Sequence, residues 1–200
     1  DARRVAARLG IRHDVINVEG PFRQCVIDDF IAEYRAGRTP NPCLRCNNDI
    51  KFGLLLERAR AMGAAYLATG HYAQTVFHEA PGRWSVRRGV DPGKDQSYVL
   101  YAMTQAQLAQ TVFPLGGYYK AETREIAREL GLRVADKPDS QEICFIPDND
   151  YRRFLRAQAP EVTAPGEIVD EAGRVLGPHH GVAFFTIGQR KGLGLAGGPP

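Results

Sequence analysis

Amphipathic helices alternate with short apolar strands in the first half of this chain, and this alternation constrains its fold more than any other feature. Helices are predicted over residues 3–9, 22–34 and 50–62, where apolar residues recur with helical spacing. Short apolar strands are predicted over residues 15–18 and 64–69. Because such alternation is typical of helices packed on a parallel sheet, the sequence predicts an α/β fold.

The second predicted strand ends at a position where ligands commonly bind. In open parallel sheets, ligands lie beyond the carboxyl ends of the strands. Gly70 and His71 directly follow residues 64–69, so both could contact a nucleotide or a phosphate. A turn glycine followed by a buried histidine would also account for Gly70 and His71, without any role in ligand binding. The pair alone leaves both interpretations open.

Two cysteines share one proline-rich segment. Cys43 and Cys46 lie in residues 38–49, RTPNPCLRCNND, where Pro40 and Pro42 predict a loop rather than a regular element. An arginine stands between the two thiols, and a helix is predicted to begin shortly after them. A nearby cation and a helix N-terminus each favour the thiolate. The segment therefore predicts reactive thiols.

The other two cysteines differ from each other in setting. Cys144 lies in a second polar loop, DSQEICFIP, whereas Cys25 lies on an apolar helix face and is predicted to fill a core. Four cysteines in a chain of this length are too few for the disulfide framework of a secreted protein. Zinc sites usually combine two cysteine pairs or add histidines at ligand spacing, and His179 and His180 are adjacent in a different region. We therefore expect thiols in a reducing cytoplasm.

Charge and hydropathy set broad limits on function. The formal net charge of +3, from 26 basic and 23 acidic residues, permits nucleic-acid binding without indicating it. The cluster Lys94–Ser97 offers groups that meet a phosphate or read a base edge, although a solvated turn explains it equally well. No apolar run approaches the ~20 residues that span a membrane. We expect no membrane segment and a cytoplasmic location.

The character of the sequence changes near Pro165. The following segment, GEIVDEAGRVLG, predicts a β-hairpin, and the glycine-rich run after it also has β character. We predict two domains, residues 1–163 and residues 164–200, of which the second is the start of a small β domain. The sequence begins inside a predicted helix and stops just after a strand-like run, so we expect it to be an interior piece of a longer protein.

Five ordered segments resemble those of one family, the tRNA-specific 2-thiouridylases. They are GRTPNPCLRCNNDIKFG, ATGHYA, KDQSYVL, KPDSQEICFIP and TIGQRKGLGL, and together they extend over nearly the whole chain. Five segments in order are far more specific than any one of them. The resemblance implies an α/β, parallel-sheet PP-loop domain of the adenine nucleotide alpha-hydrolase type with a helical tRNA-binding portion. The start of a small β domain follows it.

The resemblance also implies a reaction and a set of site residues. ATP with Mg²⁺ adenylates the C2 oxygen of the wobble uridine of tRNA, and a cysteine persulfide loaded by a sulfur-carrier protein supplies the sulfur. By position, Cys144 matches the persulfide-bearing cysteine and Cys46 the nucleophile or general acid, with a disulfide between them at the end. Gly70 matches an ATP-contacting glycine. The positions that match tRNA contacts are Asn41, Pro42 and Cys43, at the target base, and His71, Lys94, Asp95 and Gln96.

The sequence departs from the family pattern in two respects. The ATP-gripping segment of the type Ser-Gly-Gly-Val-Asp-Ser is absent, so we expect this piece alone to bind ATP weakly and to be inactive. Cys43 stands where the family pattern has aspartate, and with Cys46 and Cys144 it makes three thiolates that could hold an iron–sulfur cluster. A cluster-dependent tRNA thiolase is therefore one alternative. A non-catalytic RNA-binding module with a structural metal and another PP-loop enzyme, such as argininosuccinate synthase, are the others.

Overall fold

The chain divides into two compact units. The computed structural model describes residues 1–139 and 143–195. Unit one comprises Asp1–Phe22 and Cys43–Asp139, and unit two comprises Arg23–Pro42 and Ser140–Pro200. The domain boundary after residue 163 stays a prediction.

Helical segments make up most of the regular structure in the residues described. The α-helices are α1 (Ala2–Leu9), α2 (Glu19–Phe22), α3 (Asp28–Arg35), α4 (Pro42–Arg45), α5 (Leu56–Ala61), α6 (Gln105–Ala109), α7 (Lys120–Glu129) and α8 (Tyr151–Gln158). Two π-helical segments join neighbouring α-helices: Arg23–Ile27 links α2 to α3, and Cys46–Leu55 links α4 to α5. Short 3₁₀ turns occupy Ser97–Leu100, Pro114–Gly117, Pro160–Thr163 and Val182–Phe184.

The strands form three separate pairs, one of them parallel. They are β1 (Leu67–Ala68), β2 (Ala73–His78), β3 (Arg83–Arg88), β4 (Thr111–Val112), β5 (Gly166–Val169) and β6 (Val175–His179). β1 pairs with β4 in parallel, whereas β2–β3 and β5–β6 are antiparallel hairpins. The parallel pair and its surrounding helices confirm the predicted α/β class, and the β5–β6 hairpin confirms the hairpin predicted after Pro165.

Each unit has its own apolar core. The core of unit one packs the second half of the long π-helix against β2 and the 3₁₀ turn before α6; its buried members are Phe52, Ala73, Val99, Leu100 and Phe113. The core of unit two packs α3 against α8 and is rich in aromatic side chains; its buried members include Phe30, Ile31, Tyr34, Ile146 and Leu155. Burial of these side chains is the main source of stability for each unit.

The structure corrects the prediction for residues 38–49. This segment is not a loop throughout, because a helix begins at Pro42 and runs without a break to Ala61. Proline is tolerated in the first helical turn, where its missing N–H would have no intrahelical acceptor. Cys43 and Cys46 therefore lie in the opening turns of a helix.

Two predicted β segments are also wrong. Residues 15–18 have no regular structure, and Val15 is 74% exposed. Residues 181–195 form a 3₁₀ turn and loops rather than strands. A strand is stable only when a neighbour completes its hydrogen bonds, and neither segment is paired within the described residues.

A close backbone contact at Gly116 fixes the start of β2. The carbonyl of Gly116 accepts hydrogen bonds from Val90 N and Gln74 Nε2, each at 3.0 Å. A Cβ at Gly116 would lie 1.8 Å from the carbonyl oxygen of Ala73, which is backbone and cannot rotate away. Glycine is therefore required at position 116, against Ala73, the first residue of β2, which directly follows His71–Tyr72.

We predict that Gly116→Ala lowers the free energy of unfolding by about 3 kcal/mol or more, because the backbone must shift to relieve the clash. Gly117→Ala is the matched control, since a Cβ there meets no atom within 4 Å. Urea unfolding of both variants checks the prediction. Equal stabilities of the two variants would contradict the close contact.

Candidate functional site

A cavity of about 500 Å³ opens at the carboxyl end of β1. Its wall is formed by the π-helix, by β1 with the turn that follows it, and by the loop before the first 3₁₀ turn; the lining residues of these three segments include Lys51, Thr69, Gly70, His71 and Gln96. Pockets of about 300–1,000 Å³ are typical of small-molecule sites. The cavity lies where ligands bind in open α/β sheets. Gly70, His71 and Gln96, three of the residues selected from the sequence, all line it, while their assigned contacts stay predictions.

The π-helix determines which side chains face this cavity. Its hydrogen bonds run from residue i to i+5, so residues five apart lie one above the other. The close approach of Gly53 to Asn48 demonstrates this stacking, because a Cβ on Gly53 would lie 3.1 Å from the Asn48 carbonyl oxygen. Lys51 lines the cavity, and Cys46 precedes it by five residues. Cys46 therefore lies about one turn before Lys51, in the helix that forms one wall of the cavity.

The neighbouring face of the π-helix is buried and includes the polar residue Asn47. Asn47 is only 2% exposed, and its Nδ2 donates a 3.2 Å hydrogen bond to the Val99 carbonyl. Among the described residues, its Oδ1 has no hydrogen-bond partner. Phe52, one π-turn later, is part of the core of unit one. These two contacts hold the helix in register beside the cavity.

His71 is buried and uncharged. Its side chain is 7% exposed, and its ring lies 5.8 Å from the ring centroids of both Phe52 and Phe113. Nδ1 is 2.8 Å from Thr69 Oγ1, a contact whose donor depends on the tautomer. Burial lowers the pKa of His71 to about 4, and the positive charge of Lys51 adds to this effect. At neutral pH the imidazole is therefore a neutral hydrogen-bonding group.

Asp95 and Gln96 shape the loop that borders the cavity. Asp95 accepts hydrogen bonds from Gly89 N at 3.0 Å and from Ser97 Oγ at 2.8 Å. Gln96 exchanges two bonds with Tyr72: its N–H donates to the Tyr72 carbonyl at 2.9 Å, and its Oε1 accepts from Tyr72 N at 3.1 Å. Both side chains thus stabilise the cavity wall. Their contact with tRNA stays a prediction.

The ammonium group of Lys94 is paired with a carboxylate. Asp139 receives Lys94 Nζ on Oδ2 at 2.9 Å and Lys120 Nζ on Oδ1 at 2.8 Å. Hydrogen bonds from Lys120 and Lys94 lower the pKa of Asp139 to about 2. A phosphate that binds Lys94 would have to compete with this carboxylate. The tRNA contact of Lys94 also stays a prediction.

The four cysteines differ in exposure. Cys43 is exposed and Cys46 half-buried in unit one, whereas Cys144 is exposed and belongs to unit two together with Asn41 and Pro42. Over residues 1–139 and 143–195, no group of three or more histidine, cysteine, aspartate or glutamate side chains is arranged to hold a metal ion. The pairing of Cys46 with Cys144 stays a prediction.

A second cavity, of about 620 Å³, lies away from every predicted site residue. It opens between α1 and the segment after α7, and Arg4, Arg8, Arg133 and Lys137 are among its lining residues. Lys137 is already paired with Asp1 at 2.6 Å. The smaller cavity is the better functional candidate, because it lies at a strand end and contains the predicted residues.

Comparison with known proteins identifies the family. Residues 1–148 match the family model described as the tRNA methyl transferase HUP domain, and residues 152–199 match the one described as the tRNA methyl transferase PRC-barrel domain. The chain is 57% identical over 201 residues to the tRNA-specific 2-thiouridylase MnmA of Heliobacterium modesticaldum. This chain belongs to the tRNA-specific 2-thiouridylase family. The order of the two matched domains confirms the predicted PP-loop domain followed by the start of a β domain.

Further relatives have the same name. The MnmA proteins of Geotalea uraniireducens and Carboxydothermus hydrogenoformans are 57% and 56% identical, over 196 and 200 residues. The Geotalea match covers 98% of this chain and 52% of the relative, and the Carboxydothermus match covers 100% and 55%, respectively. The Heliobacterium match covers 100% of this chain and 52% of that relative. The chain therefore spans about half the length of these relatives. No helix in the described part of the chain is long and apolar enough to cross a membrane.

Sequence reasoning missed Lys51 and Asn47 as site residues. Both lie in the segment GRTPNPCLRCNNDIKFG, which was assigned mainly for its cysteines. In this π-helix Lys51 lies about one turn after Cys46, whereas with α-helical spacing a residue five positions after Cys46 would point to a different side. Apolar spacing in this short segment does not distinguish the two helix types.

We predict that the free energy of unfolding falls by about 3 kcal/mol as the pH is lowered from about 6.5 to about 4. The unfolded chain binds a proton at His71 below pH ~6.5, whereas the folded protein does so only near pH 4, so protonation favours the unfolded state in this window. Urea unfolding as a function of pH measures the slope.

Two variants isolate the contribution of His71. His71→Gln is expected to remove this part of the pH dependence, while the same change at the exposed His13 is expected to leave it intact. A slope that is the same in both variants would show that His71 is not the titrating group.

Proposed function

We propose that this chain belongs to an enzyme that transfers sulfur to C2 of the wobble uridine of tRNA in an ATP-dependent reaction. The observation that carries the proposal is the cavity at the carboxyl end of β1, because one of its walls is the π-helix that begins at Cys46. A nucleotide-sized cavity beside a thiol suits a reaction that couples nucleotide chemistry to sulfur transfer. The names of the relatives support it. Since the chain spans about half their length, the activity is proposed for the full-length protein.

The first step activates the base. The C2 oxygen of uridine attacks the α-phosphate of ATP, pyrophosphate leaves, and the oxygen then carries AMP as a leaving group. We assign Gly70 to the nucleotide, because a Cβ at this position would meet only Leu115 Cδ1, at 3.8 Å, so a ligand can approach its backbone closely. Mg²⁺ accompanies the phosphates in this proposal.

The second step moves the sulfur. The terminal sulfur of a persulfide on Cys144 attacks the activated carbon and displaces AMP, which leaves the base joined to Cys144 through a disulfide. The Cys46 thiolate then attacks the Cys144 sulfur, so a Cys46–Cys144 disulfide forms and the thiolated base leaves. The two cysteine thiols supply the two electrons that reduce the transferred sulfur, and a dithiol reductant regenerates them.

The macromolecular partners follow from this chemistry. The target base has to leave the stack to be reached. A sulfur-carrier protein loads Cys144, whose exposure permits transfer from another protein. The thiol chemistry suits the cytoplasm. We assign the contacts with tRNA to Asn41, Pro42 and Cys43, at the target base, and to His71, Lys94, Asp95 and Gln96.

We predict that Cys46→Ser and Cys144→Ser each reduce tRNA thiolation by the full-length protein to background, since each removes a sulfur that the reaction needs. Binding of tRNA is expected to be unchanged. Cys25→Ser is the control, because this half-buried thiol has no role in the proposed reaction. Mass spectrometry of the tRNA nucleosides measures thiolation.

The same variants distinguish the alternatives. Loss of folding together with tRNA binding in Cys144→Ser would favour a structural metal. Absorbance near 400 nm after anaerobic purification, lost in Cys43→Ser, would favour a cluster-dependent thiolase. An iron-free, colourless protein that thiolates tRNA rules out the cluster.

A further inference from the structure

Lys51 is the only charged residue that lines the cavity at the carboxyl end of β1 in the described part of the chain. The other lining residues are apolar, or polar and uncharged at neutral pH. Its side chain is half-buried, and no carboxylate of the described ranges forms an ion pair with it. By contrast, the nearby Arg45 is paired with Asp49 and Lys94 with Asp139. Lys51 thus presents an uncompensated positive charge to the cavity.

The charge of Lys51 acts within the cavity rather than only in bulk solvent. It contributes to the lowered pKa of the buried His71, which places the two groups within electrostatic range of each other. Because the imidazole of His71 stays neutral, Lys51 has no second cation beside it that would repel its ammonium group or bind an anion in its place. A partly desolvated ammonium group is stabilised by an anion that completes its hydrogen bonds.

The neighbouring groups suit a phosphate. Thr69 and Gln96 supply uncharged polar side chains, and Gly70 leaves the backbone open on one side. A phosphate can be bound by one ammonium group together with uncharged hydrogen-bonding groups and an accessible backbone. A second cationic side chain is not required. The π-helical register also places Cys46 on the same helix side as Lys51, one turn away.

We propose that Lys51 binds a phosphate group of the nucleotide in this cavity, on the side of the π-helix that carries Cys46. The identity of the nucleotide as ATP rests on the proposed function, whereas the phosphate contact rests on the cavity itself. A phosphate held there lies on the same helix side as the thiol that completes sulfur transfer. Lys51 is therefore a binding residue that links nucleotide position to the reactive cysteine.

The test measures binding of a non-hydrolysable ATP analogue and of adenosine to the full-length protein by isothermal titration calorimetry. Lys51→Ala is expected to weaken binding of the analogue about tenfold or more, the usual cost of losing a hydrogen bond to a charged group. Adenosine binding is expected to be unchanged, because adenosine has no phosphate. Lys51→Arg keeps the charge and is expected to retain most of the affinity.

A matched control removes a positive charge from the same continuous helix. Arg58→Ala, at an exposed position on α5, is expected to leave the affinity for the analogue unchanged. The pKa of His71, measured by NMR, is expected to rise in Lys51→Ala and to stay the same in Arg58→Ala. This readout needs neither ATP nor tRNA.

Three results would overturn the proposal. Equal weakening of analogue and adenosine would indicate a structural role for Lys51. Unchanged binding of the analogue would exclude the contact. Unchanged analogue binding with weaker tRNA binding and a shallower salt dependence would assign the phosphate to the RNA backbone instead. A wild-type protein that binds the analogue but does not thiolate tRNA would contradict the proposed function and leave the Lys51 contact intact.

Discussion

The candidate site depends on the i→i+5 hydrogen bonding of Cys46–Leu55. This π-helical spacing places Lys51 about one turn after Cys46 and Phe52 about one turn after Asn47, and Lys51 lines the cavity while Asn47 and Phe52 are buried in unit one. An α-helix of the same sequence would rotate these pairs apart. A Cβ at Gly53 would lie 3.1 Å from the Asn48 carbonyl oxygen, a tight contact that marks the same spacing.

The electrostatics of the cavity follow from burial. Between two phenylalanine rings, protonation of His71 is unfavourable, and the imidazole remains neutral at physiological pH. Lys51 is then left as the single source of positive charge on the wall among the residues described. By contrast, Lys94 and Lys120 neutralise Asp139 away from this wall. A cavity with one uncompensated cation is suited to an anionic ligand such as a nucleotide.

Much of the fold was predictable from sequence, because apolar spacing and turn residues report local structure. α1, the helix around residues 22–34 and the β5–β6 hairpin follow directly from such patterns. The loop predicted over residues 38–49 was wrong at Pro42, because proline interrupts a helix in its interior but is tolerated in its first turn. Val15 and Ile16 are β-branched residues that favour strands, yet a strand forms only beside a second strand that completes its hydrogen bonds. Local sequence does not reveal that second strand.

For the candidate site, sequence motifs located Gly70, His71 and Gln96, and the structure places all three at one cavity. Lys51 could be recognised as a site residue only from the geometry of the helix in the structure. The most direct test of the account is hydrogen exchange of the full-length protein with and without a non-hydrolysable ATP analogue. Binding is expected to protect backbone amides in residues 47–55 and 67–72. Protection confined to residues 1–9 and 131–137, around the basic cavity, with no change in the first two segments, would contradict it.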